Sequence, residues 1–416
     1  MKTTDFMIVA GEPSGDILAA ELVEAIRAEL GQVRVPATWN YQPLQSSLAP
    51  RFFGAGGTRM AEAGVELAFD MTAHSVIGIS EVLRNYAKFR RLFKELFHLA
   101  RERQPDVIVC VDFSGFNRRF AHAVRSYVRS RRDWFHDWNP RIVQYVSPQV
   151  WASREGRAYS MAEDLDLLLS IFPFEKQWYA SRVPQMRVEF VGHPMIDRHG
   201  PPPAPVRSRS TGAPGFPTLL LLPGSRPGEL SRHVPVLIGA LAQIRAIFPD
   251  LRASMVLPSE RLLNMARDFS LPPNLQLQVG NMVQALLEAD LALASTGTVT
   301  LECAYFGVPV VALYRTSFLT WQIAKRIVKV QYGAMPNLLA GRELFPEFIQ
   351  DAATADNVAN AAIELLKDEP RRAAIKQDLA KIVASLGPPG ASKRAATAVL
   401  SLLPRRPAVD ETLALR

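Results

Sequence analysis

The chain has 416 residues, of which 48% are hydrophobic and 21% are charged, and its net charge is +8. This is the composition of a globular protein long enough for two or three domains with a sizeable core. The charge favours an anionic partner, which can be nucleic acid, a phosphorylated substrate or an acidic membrane surface. Only two cysteines are present, Cys110 and Cys303, and both lie in apolar runs, which argues against a disulfide framework or a cysteine metal site.

No run of 18 uninterrupted apolar residues occurs, and the N-terminus lacks the pattern of a cleavable signal. We therefore expect a cytoplasmic location. The first element is a buried strand at residues 6–10, which leads through the turn 11–16 into a helix. That turn has glycines only at 11 and 15, and a second glycine-rich turn, 53–57, is also incomplete, so a dinucleotide fingerprint is missing. Either turn is also explained as a tight connection between a strand and a helix.

Residues 81–103 form a basic amphipathic helix, with apolar residues at three- and four-residue spacing and Arg and Lys elsewhere. A domain helix with a solvated charged face is the favoured interpretation, and a membrane contact is the alternative. Residues 107–111 then form a buried strand with Asp112 at its carboxyl end, where ligands of open parallel sheets bind. A carboxylate there can take a proton from a sugar hydroxyl. The alternative is a helix cap at Asp112 or Asn117.

Further strands are predicted at 141–146, 167–172 and 188–191. The pair Asp164 and Asp166 imitates the DxD metal motif of one glycosyltransferase class, but it precedes its strand and is therefore discounted. His193 either contacts a phosphate or packs under the linker that follows it. That linker, rich in Pro, Ser and Gly, separates two halves of the chain.

The second half begins with a strand at 218–222 and a loop of small residues that ends in Arg226, whose guanidinium can fork two hydrogen bonds to phosphate oxygens. Residues 290–294 form another short strand, followed by the turn 295–298 and a helix. Such a helix N-terminus, with its N–H groups and hydroxyls, is an anion-binding site. Glu302 lies one turn further on, where it can accept hydrogen bonds from a ribose. Simple capping of the helix is the alternative.

Strands alternate with helices in both halves, which predicts an α/β chain of two doubly wound, Rossmann-like domains facing across a cleft. The expected boundaries are 1–198 for an N-terminal acceptor-binding domain, 199–217 for the linker and 218–384 for a C-terminal domain that binds a UDP-sugar. Residues 385–416 supply a helix that packs back on the first domain and a loose tail. Two stretches, 36–50 and 131–140, are expected to be surface insertions.

Eight motifs in order span nearly the whole chain outside the linker, insertions and tail. They are GEPSGD at 11–16, VDFSGFN at 111–117, YVSPQVWA at 145–152, FPFE at 172–175, VGHP at 191–194, LLPGSR at 221–226, STGTVTLE at 295–302 and MPN at 335–337. In these motifs the chain resembles the lipid-A-disaccharide synthases, glycosyltransferase family 19. The resemblance implies the GT-B fold and the enzyme's reaction. UDP-2,3-diacylglucosamine and 2,3-diacylglucosamine 1-phosphate would give a β-1,6 tetraacyl disaccharide phosphate and UDP, with inversion and without a cofactor or an essential metal.

The resemblance also assigns roles to individual residues. Asp112 would be the general base and Arg226 the catalytic group on the leaving diphosphate. The donor-binding set is Gly224, Ser225, Arg226, Ser295, Thr296, Gly297, Thr298, Glu302, Asn337, Glu347 and Gln350. The acceptor-binding set is Glu12, Ser14, Gly15 and Asn117.

The resemblance places residues 75–82 near the acyl chains or the membrane, so we expect peripheral association with the cytoplasmic face of the inner membrane. Two positions depart from the family's pattern, Ser114 where Pro is usual and Ser153 where Trp is common. The nearest rival is another GT-B enzyme of UDP-N-acetylglucosamine, either a transferase to a different lipid or a 2-epimerase. A non-catalytic binding protein is a rival of another class. No nucleic-acid partner is expected, because the basic residues are dispersed, and a homodimer is compatible with the sequence.

Overall fold

The structure is a computed structural model, and it describes residues 4–31, 50–72, 86–131, 136–200 and 216–404. The chain divides into two compact units. The first contains the residues up to 151, 155–198 and the segment from 387 onward, and the second contains 152–154 and 199–386. The segment 75–82 and most of the expected insertion at 36–50, of the linker and of the C-terminal tail lie outside the described residues.

The first unit is built on a parallel sheet whose described strands follow the order β3-β2-β1-β4-β5-β6-β7. The strands are β1 (Asp5–Ala10), β2 (Arg51–Gly56), β3 (Glu66–Asp70), β4 (Val107–Val111), β5 (Arg141–Tyr145), β6 (Leu167–Ser170) and β7 (Val188–Phe190). The helices are α1 (Pro13–Gly31), α2 (Thr58–Glu62), α3 (Tyr86–Arg103), α4 (Ser114–Arg131), α5 (Val150–Ser153), α6 (Arg157–Asp164), α7 (Pro173–Ala180) and α8 (Met195–His199). Every residue of β1 and β4 is buried, because helices cover both faces of the sheet.

The second unit has its own parallel sheet, with the described strands in the order β10-β9-β8-β11-β12-β13. Its strands are β8 (Thr218–Leu222), β9 (Arg252–Leu257), β10 (Leu275–Val279), β11 (Leu291–Ser295), β12 (Val310–Tyr314) and β13 (Glu347–Ile349). Its helices are α9 (Pro227–Ile247), α10 (Glu260–Arg267), α11 (Met282–Glu288), α12 (Thr298–Tyr305), α13 (Phe318–Ile327), α14 (Met335–Ala340), α15 (Ala355–Lys367) and α16 (Glu369–Ser385). The predicted α/β architecture with two doubly wound sheets is confirmed.

In each sheet the strand order reverses once along the chain. The reversal falls between β1 and β4 in the first unit and between β8 and β11 in the second. Both pairs are parallel, with Ala10 beside Val111 and Ala294 beside Leu222 at their carboxyl ends. Because neighbouring connections leave such a point in opposite directions, a crevice opens there, and it is the usual ligand site of open α/β sheets.

The last helix, α17 (Ala391–Leu400), belongs to the first unit and packs against α1. Asp197 caps it: the Asp197 carboxylate accepts hydrogen bonds from the N–H groups of Gly390 at 2.6 Å and Ser392 at 3.1 Å. Arg394 donates from Nε to the carbonyl of Val191 at 2.8 Å. The VGHP motif and its neighbour Asp197 therefore hold α17 in the first unit.

Helix α3 buries its apolar side. Leu92, Leu96 and Ala100 lie in the core, and the Phe93 ring packs edge-on against Phe116 and Phe120 of α4. The opposite side of α3, with Arg90, Arg91 and Lys94, is exposed, whereas Arg103 pairs with Glu66 and lies over the Phe53 ring. The described part of this helix is thus a domain helix with a solvated charged face. Among the described residues, no helix has both the length and the apolar character needed to cross a bilayer.

Candidate active site

Asp112 directly follows β4 at the reversal point of the first sheet. Its φ is 48° and that of Phe113 is 41°, so two consecutive non-glycine residues adopt the left-handed region. Such residues persist only where the surroundings over-determine them. Here the Asp112 N–H donates to the carbonyl of Tyr145 at 2.8 Å, and the Asp112 carbonyl accepts from Asn117 Nδ2 at 2.9 Å and from Gln144 Nε2 at 3.2 Å. The backbone that carries the carboxylate is therefore fixed.

The GEPSGD turn lies directly against Asp112. A Cβ atom placed on Gly15 would be 3.5 Å from the Asp112 Cβ, and one on Gly11 would overlap the ring of Phe113. Within the same turn, Ser14 is exposed and Glu12 is half-buried. Of the four residues expected on the acceptor side, the structure places Gly15 against Asp112, and Asn117 donates to the Asp112 carbonyl.

Asn117 is fully buried, unlike a residue that contacts a ligand directly. Its Nδ2 lies 3.4, 3.1 and 2.9 Å from the carbonyl oxygens of Val9, Val111 and Asp112, which belong to the ends of β1 and β4. Its Oδ1 is buried without a hydrogen-bond partner in the described part of the chain. Asn117 therefore ties the two strand ends together underneath the site.

Asp16, the last residue of the same motif, holds the second glycine-rich turn. Its carboxylate accepts hydrogen bonds from the N–H groups of Gly57 at 2.7 Å, Arg59 at 3.0 Å and Met60 at 3.2 Å, at the start of α2. A Cβ on Gly57 would lie 2.6 Å from Asp16 Oδ2, so only glycine fits. The sequence assigned no role to Asp16, because an Asp that caps a helix distant in sequence has no local signature.

Two further motifs meet at Glu175, which is fully buried. Trp151 Nε1 donates to its carboxylate at 2.9 Å, and the N–H of Phe172 donates to it at 3.3 Å. Burial raises the pKa of Glu175 to about 7, while the bond from Trp151 opposes that rise. His193, whose ring packs near Phe172, accepts the Met195 N–H at Nδ1, and burial lowers the pKa of His193 to about 4. His193 is therefore a neutral imidazole with Nε2–H as its donor.

The two expected phosphate loops of the second unit follow β8 and β11, which are hydrogen-bonded neighbours. Gly297 has φ 146°, a conformation that favours glycine, and it is the N-cap of α12. No side chain in the described part of the chain caps this terminus. Gly297 and Thr298 are exposed, while Ser295 is 2% exposed and faces the interior. The free helix terminus has the partial positive charge that binds an anion.

Arg226 is the N-cap of α9 and lies in the neighbouring loop. Its Nη1 donates to Glu229 at 3.0 Å, and its Nε is buried without a partner among the described residues. Glu229 also accepts the N–H of Ser225 at 3.0 Å and leaves no space for a Cβ on Gly224, whose φ is 117°. Glu229 therefore shapes this loop and orients its arginine. Its position three residues after the N-cap is the spacing of a capping box, a signal that sequence reasoning missed.

His233 connects the loop after β8 to the loop after β12. The ring is fully buried, with Nδ1 2.7 Å from the carbonyl of Pro223, and Nε2 accepts the Arg315 N–H at 2.9 Å. These partners require a proton on Nδ1 and none on Nε2. Burial lowers the pKa of His233, which keeps the ring neutral. A lone histidine on the buried side of a helix gives no sequence signal for this contact.

Asn337 and Glu347 brace the segment that follows α13. Asn337 is fully buried, and its amide donates to the carbonyl of Phe345 at 2.9 Å and to Glu347 at 2.7 Å. Glu347 accepts the N–H groups of Gly333 at 2.8 Å and Ala334 at 3.0 Å, and burial raises its pKa. The segment borders the phosphate turn, since a Cβ on Gly333 would lie 3.7 Å from the Thr296 methyl group.

The remaining donor residues lie on the same edge of the second sheet. Gln350, with φ 57°, uses its amide to accept the Thr316 N–H at 3.0 Å and to donate to the Thr316 carbonyl at 3.2 Å. Glu302 is half-buried in α12, one turn after Thr298. By contrast, the DxD-like carboxylates lie before β6 and contact other side chains: Asp164 is 3.0 Å from His122 Nδ1, and Asp166 pairs with Arg125 and Arg141.

Comparison with known proteins identifies the family. A model of the family described as Lipid-A-disaccharide synthetase matches residues 6–402. A lipid-A-disaccharide synthase of Alkalilimnicola ehrlichii is 35% identical over 402 residues, which are 95% of this chain and 97% of the relative. One of Myxococcus xanthus is 33% identical over 404 residues, 96% of this chain and 97% of the relative.

Solved structures show the same fold at low identity. The glycosyltransferase of kitacinnamycin aligns with a TM-score of 0.60 at 16% identity, covering 97% of this chain and 100% of that one. The calicheamicin glycosyltransferase CalG4 aligns at 0.57 and 15%, covering 97% and 100%. A UDP-GlcNAc 2-epimerase from Neisseria meningitidis aligns at 0.58 and 12%, covering 96% and 100%. These similarities confirm the predicted GT-B fold and do not distinguish transferases from epimerases.

The family match does distinguish transferases from epimerases, because the matching family is that of the lipid-A-disaccharide synthetases. The match covers both units and every one of the eight motifs. The predictions of a glycosyltransferase and of a role in lipid A biosynthesis are confirmed. With a match over residues 6–402 and relatives at 33% and 35% identity over nearly the whole chain, the protein belongs to the lipid-A-disaccharide synthase family.

Proposed function

We propose that this chain joins UDP-2,3-diacylglucosamine to 2,3-diacylglucosamine 1-phosphate and releases UDP and a β-1,6-linked tetraacyl disaccharide phosphate. The proposal rests on the residues that lie at the two points of strand-order reversal in this member of the family. One has a carboxylate on a fixed backbone, Asp112, and the other has Arg226 beside the free N-terminus of α12. An inverting transfer needs those two functions, a base and a stabiliser of the leaving group.

The reaction is a single displacement at the anomeric carbon of the donor. The acceptor 6-hydroxyl gives its proton to Asp112 while its oxygen forms the new bond to that carbon. The bond between the carbon and the UDP oxygen breaks, and its electron pair leaves with the diphosphate. Gly15 borders Asp112, and Glu12 and Ser14 of the same turn are assigned to the side where the acceptor sugar would bind.

Arg226 and the turn 295–298 are assigned to the leaving diphosphate. The Nε–H of Arg226, which has no hydrogen-bond partner among the described residues, and the N-terminus of α12 are both donors that can meet the negative charge developing on the diphosphate. A diphosphate would compete with Glu229 for the Arg226 guanidinium, whose present ion pair is only partly buried. These fixed positive groups are the basis for proposing that the transfer does not require a metal.

The other donor residues divide by their burial. Glu302 is half-buried and is assigned to the ribose hydroxyls. Asn337, Glu347 and Gln350 already bond to the backbone of neighbouring segments, so their proposed role is to hold those segments against the donor. Asn117 has the same role on the acceptor side. Removing such a buried partner leaves backbone groups unpaired and costs about 1–3 kcal/mol.

We also propose peripheral association with the cytoplasmic face of the inner membrane, because both substrates carry acyl chains. The net charge of +8 and the exposed Arg and Lys side of α3 support attraction to anionic lipids. The segment 75–82, which precedes α3, is the proposed apolar contact.

The direct test is a mass-spectrometric assay of the purified protein with both substrates, with and without EDTA. We expect the tetraacyl disaccharide phosphate in equal amounts under both conditions. UDP binding without product would contradict the assigned acceptor, and loss of product in EDTA that added Mg²⁺ restores would contradict metal independence.

Arg226→Ala should lower turnover by at least about 10²-fold, the typical effect of removing one fixed donor to developing charge. Arg245→Ala is the matched control: Arg245 is on the same helix, and its guanidinium donates to the Asn274 carbonyl at 3.0 Å, away from the phosphate loops. Initial rates at saturating substrate check this. A rate like that of the control variant would remove Arg226 from the mechanism.

Asp112→Asn should abolish product formation and leave UDP-sugar binding intact, because the amide cannot accept the hydroxyl proton. Calorimetry measures binding, and the product assay measures turnover. Asp106→Asn is the control, since Asp106 lies just before the opposite end of β4 and accepts the Asp5 N–H at 2.9 Å. If Asp112→Asn loses the UDP-sugar as well, the role of Asp112 is structural.

The full chain should sediment with vesicles that contain phosphatidylglycerol at low ionic strength, and the bound fraction should fall as salt is added, because salt screens surface charge. Vesicles of phosphatidylcholine alone are the control and should bind less. Absence of binding to the anionic vesicles at low salt would eliminate the membrane proposal.

A further inference from the structure

Helix α13 exposes apolar side chains that a folded protein normally covers. Phe318 is 70% exposed, Leu319 75% and Ile323 43%, and Val328, just beyond the helix, is 46% exposed. No residue of α13 is buried. The described part of the chain exposes nine large hydrophobic residues, and four of them fall within these eleven positions. Such a concentration of exposed apolar side chains marks a surface that contacts a protein, a membrane or a ligand.

The sequence around α13 carries only basic charged residues, one of which, Arg342, forms an ion pair with Asp378. Residues 303–342 contain no Asp or Glu but contain Arg315, Lys325, Arg326, Lys329 and Arg342. Lys325 and Arg326 are exposed in the last turn of the helix. At 100° per residue, Phe318, Leu319 and Ile323 fall within an arc of about 140°. Arg326 lies in the same arc, where its stem can follow the apolar surface while its head reaches polar groups.

The helix is firmly attached at its N-terminal end. Ser317 caps it by accepting the Thr320 N–H at 3.3 Å. The two preceding residues are held by the donor half of the site, Arg315 through His233 and Thr316 through Gln350. α13 therefore projects from the edge of the sheet that carries the two phosphate loops.

We propose that the α13 face, defined as Phe318, Leu319, Ile323 and Val328 with Lys325 and Arg326, inserts into the interface of an anionic lipid bilayer. Exposed apolar side chains beside Lys and Arg, without acidic residues, match a surface of acyl chains beneath anionic headgroups. A second copy of this chain is a poorer fit, because a symmetric contact would bring like charges together. This contact is separate from the segment 75–82 and does not depend on the reaction assigned above.

The first test replaces the apolar residues. Phe318→Ser with Leu319→Glu should weaken binding to vesicles of phosphatidylethanolamine and phosphatidylglycerol by at least about tenfold, because burial of both side chains is lost. The matched control is Val283→Ser with Leu287→Glu on α11, where the side chains are 42% and 39% exposed. Wild-type binding by the α13 variant would overturn the proposal.

A second measurement reports on the face itself and needs no destabilising change. Cys110 and Cys303 are both buried, and burial raises the pKa of each thiol, so an introduced surface cysteine can be labelled selectively. An environment-sensitive fluorophore on Leu319→Cys should shift to the blue when the anionic vesicles are added, and one on Leu287→Cys should not. An unchanged spectrum at position 319 would overturn the proposal.

Charge and self-association give the remaining outcomes. Lys325→Ala and Arg326→Ala should each weaken binding to the anionic vesicles by about fivefold and leave the weak binding to phosphatidylcholine unchanged.

Sedimentation velocity without lipid tests the alternative occupant: if Phe318→Ser with Leu319→Glu dissociates a dimer of the full chain, the face is a contact between copies and the proposal fails. None of these measurements requires substrate, so failure of the assigned reaction would not affect them.

Discussion

Parallel pairing of β1 with β4 and of β8 with β11 determines where the chemistry of this protein can occur. At both pairs the strand order reverses, so the connections that follow diverge and leave the carboxyl ends of two neighbouring strands uncovered. Asp112 follows one of these strands, and Arg226 lies in the loop after another. The apolar strands supply the burial that stabilises each unit, while the residues of the candidate site lie in the short polar loops after them.

Those loops are held by buried polar side chains from other parts of the chain rather than by contacts within the loops. Asn117 bonds to the ends of two strands, His233 joins the loop after β8 to the loop after β12, and Asn337 with Glu347 fixes the segment beside Thr296. Each of these side chains satisfies backbone groups that would otherwise be buried and unpaired. Preorganised donors are most effective when the loop that presents them does not have to move.

Most of the strands were predicted from the sequence because each is encoded locally, by a short apolar run that ends at glycine or a small polar residue. The strands β3 and β13 were not predicted, because neither contains a run of buried apolar residues. The family's motifs then added the GT-B fold and the residues of the candidate site. Contacts between distant residues were not predictable: His233 reaches Arg315 across 82 positions, and nothing near either residue indicates it. The exposure of α13 was equally hidden, since the spacing of its apolar residues is also that of a buried helix, and burial depends on what packs against it.

The position of α17 has a consequence for how the chain folds during synthesis. The first unit is discontinuous: its last helix packs on α1 but follows the whole second unit in the chain. A ribosome adding about 5–20 residues per second needs on the order of 10–40 s to translate residues 199–386. During that interval α17 is not yet available to Asp197 and to the side of α1 that it covers. The unit whose synthesis begins first is therefore the last to complete its fold. Until α17 is translated, the exposed side of α1 is the expected binding site for a chaperone.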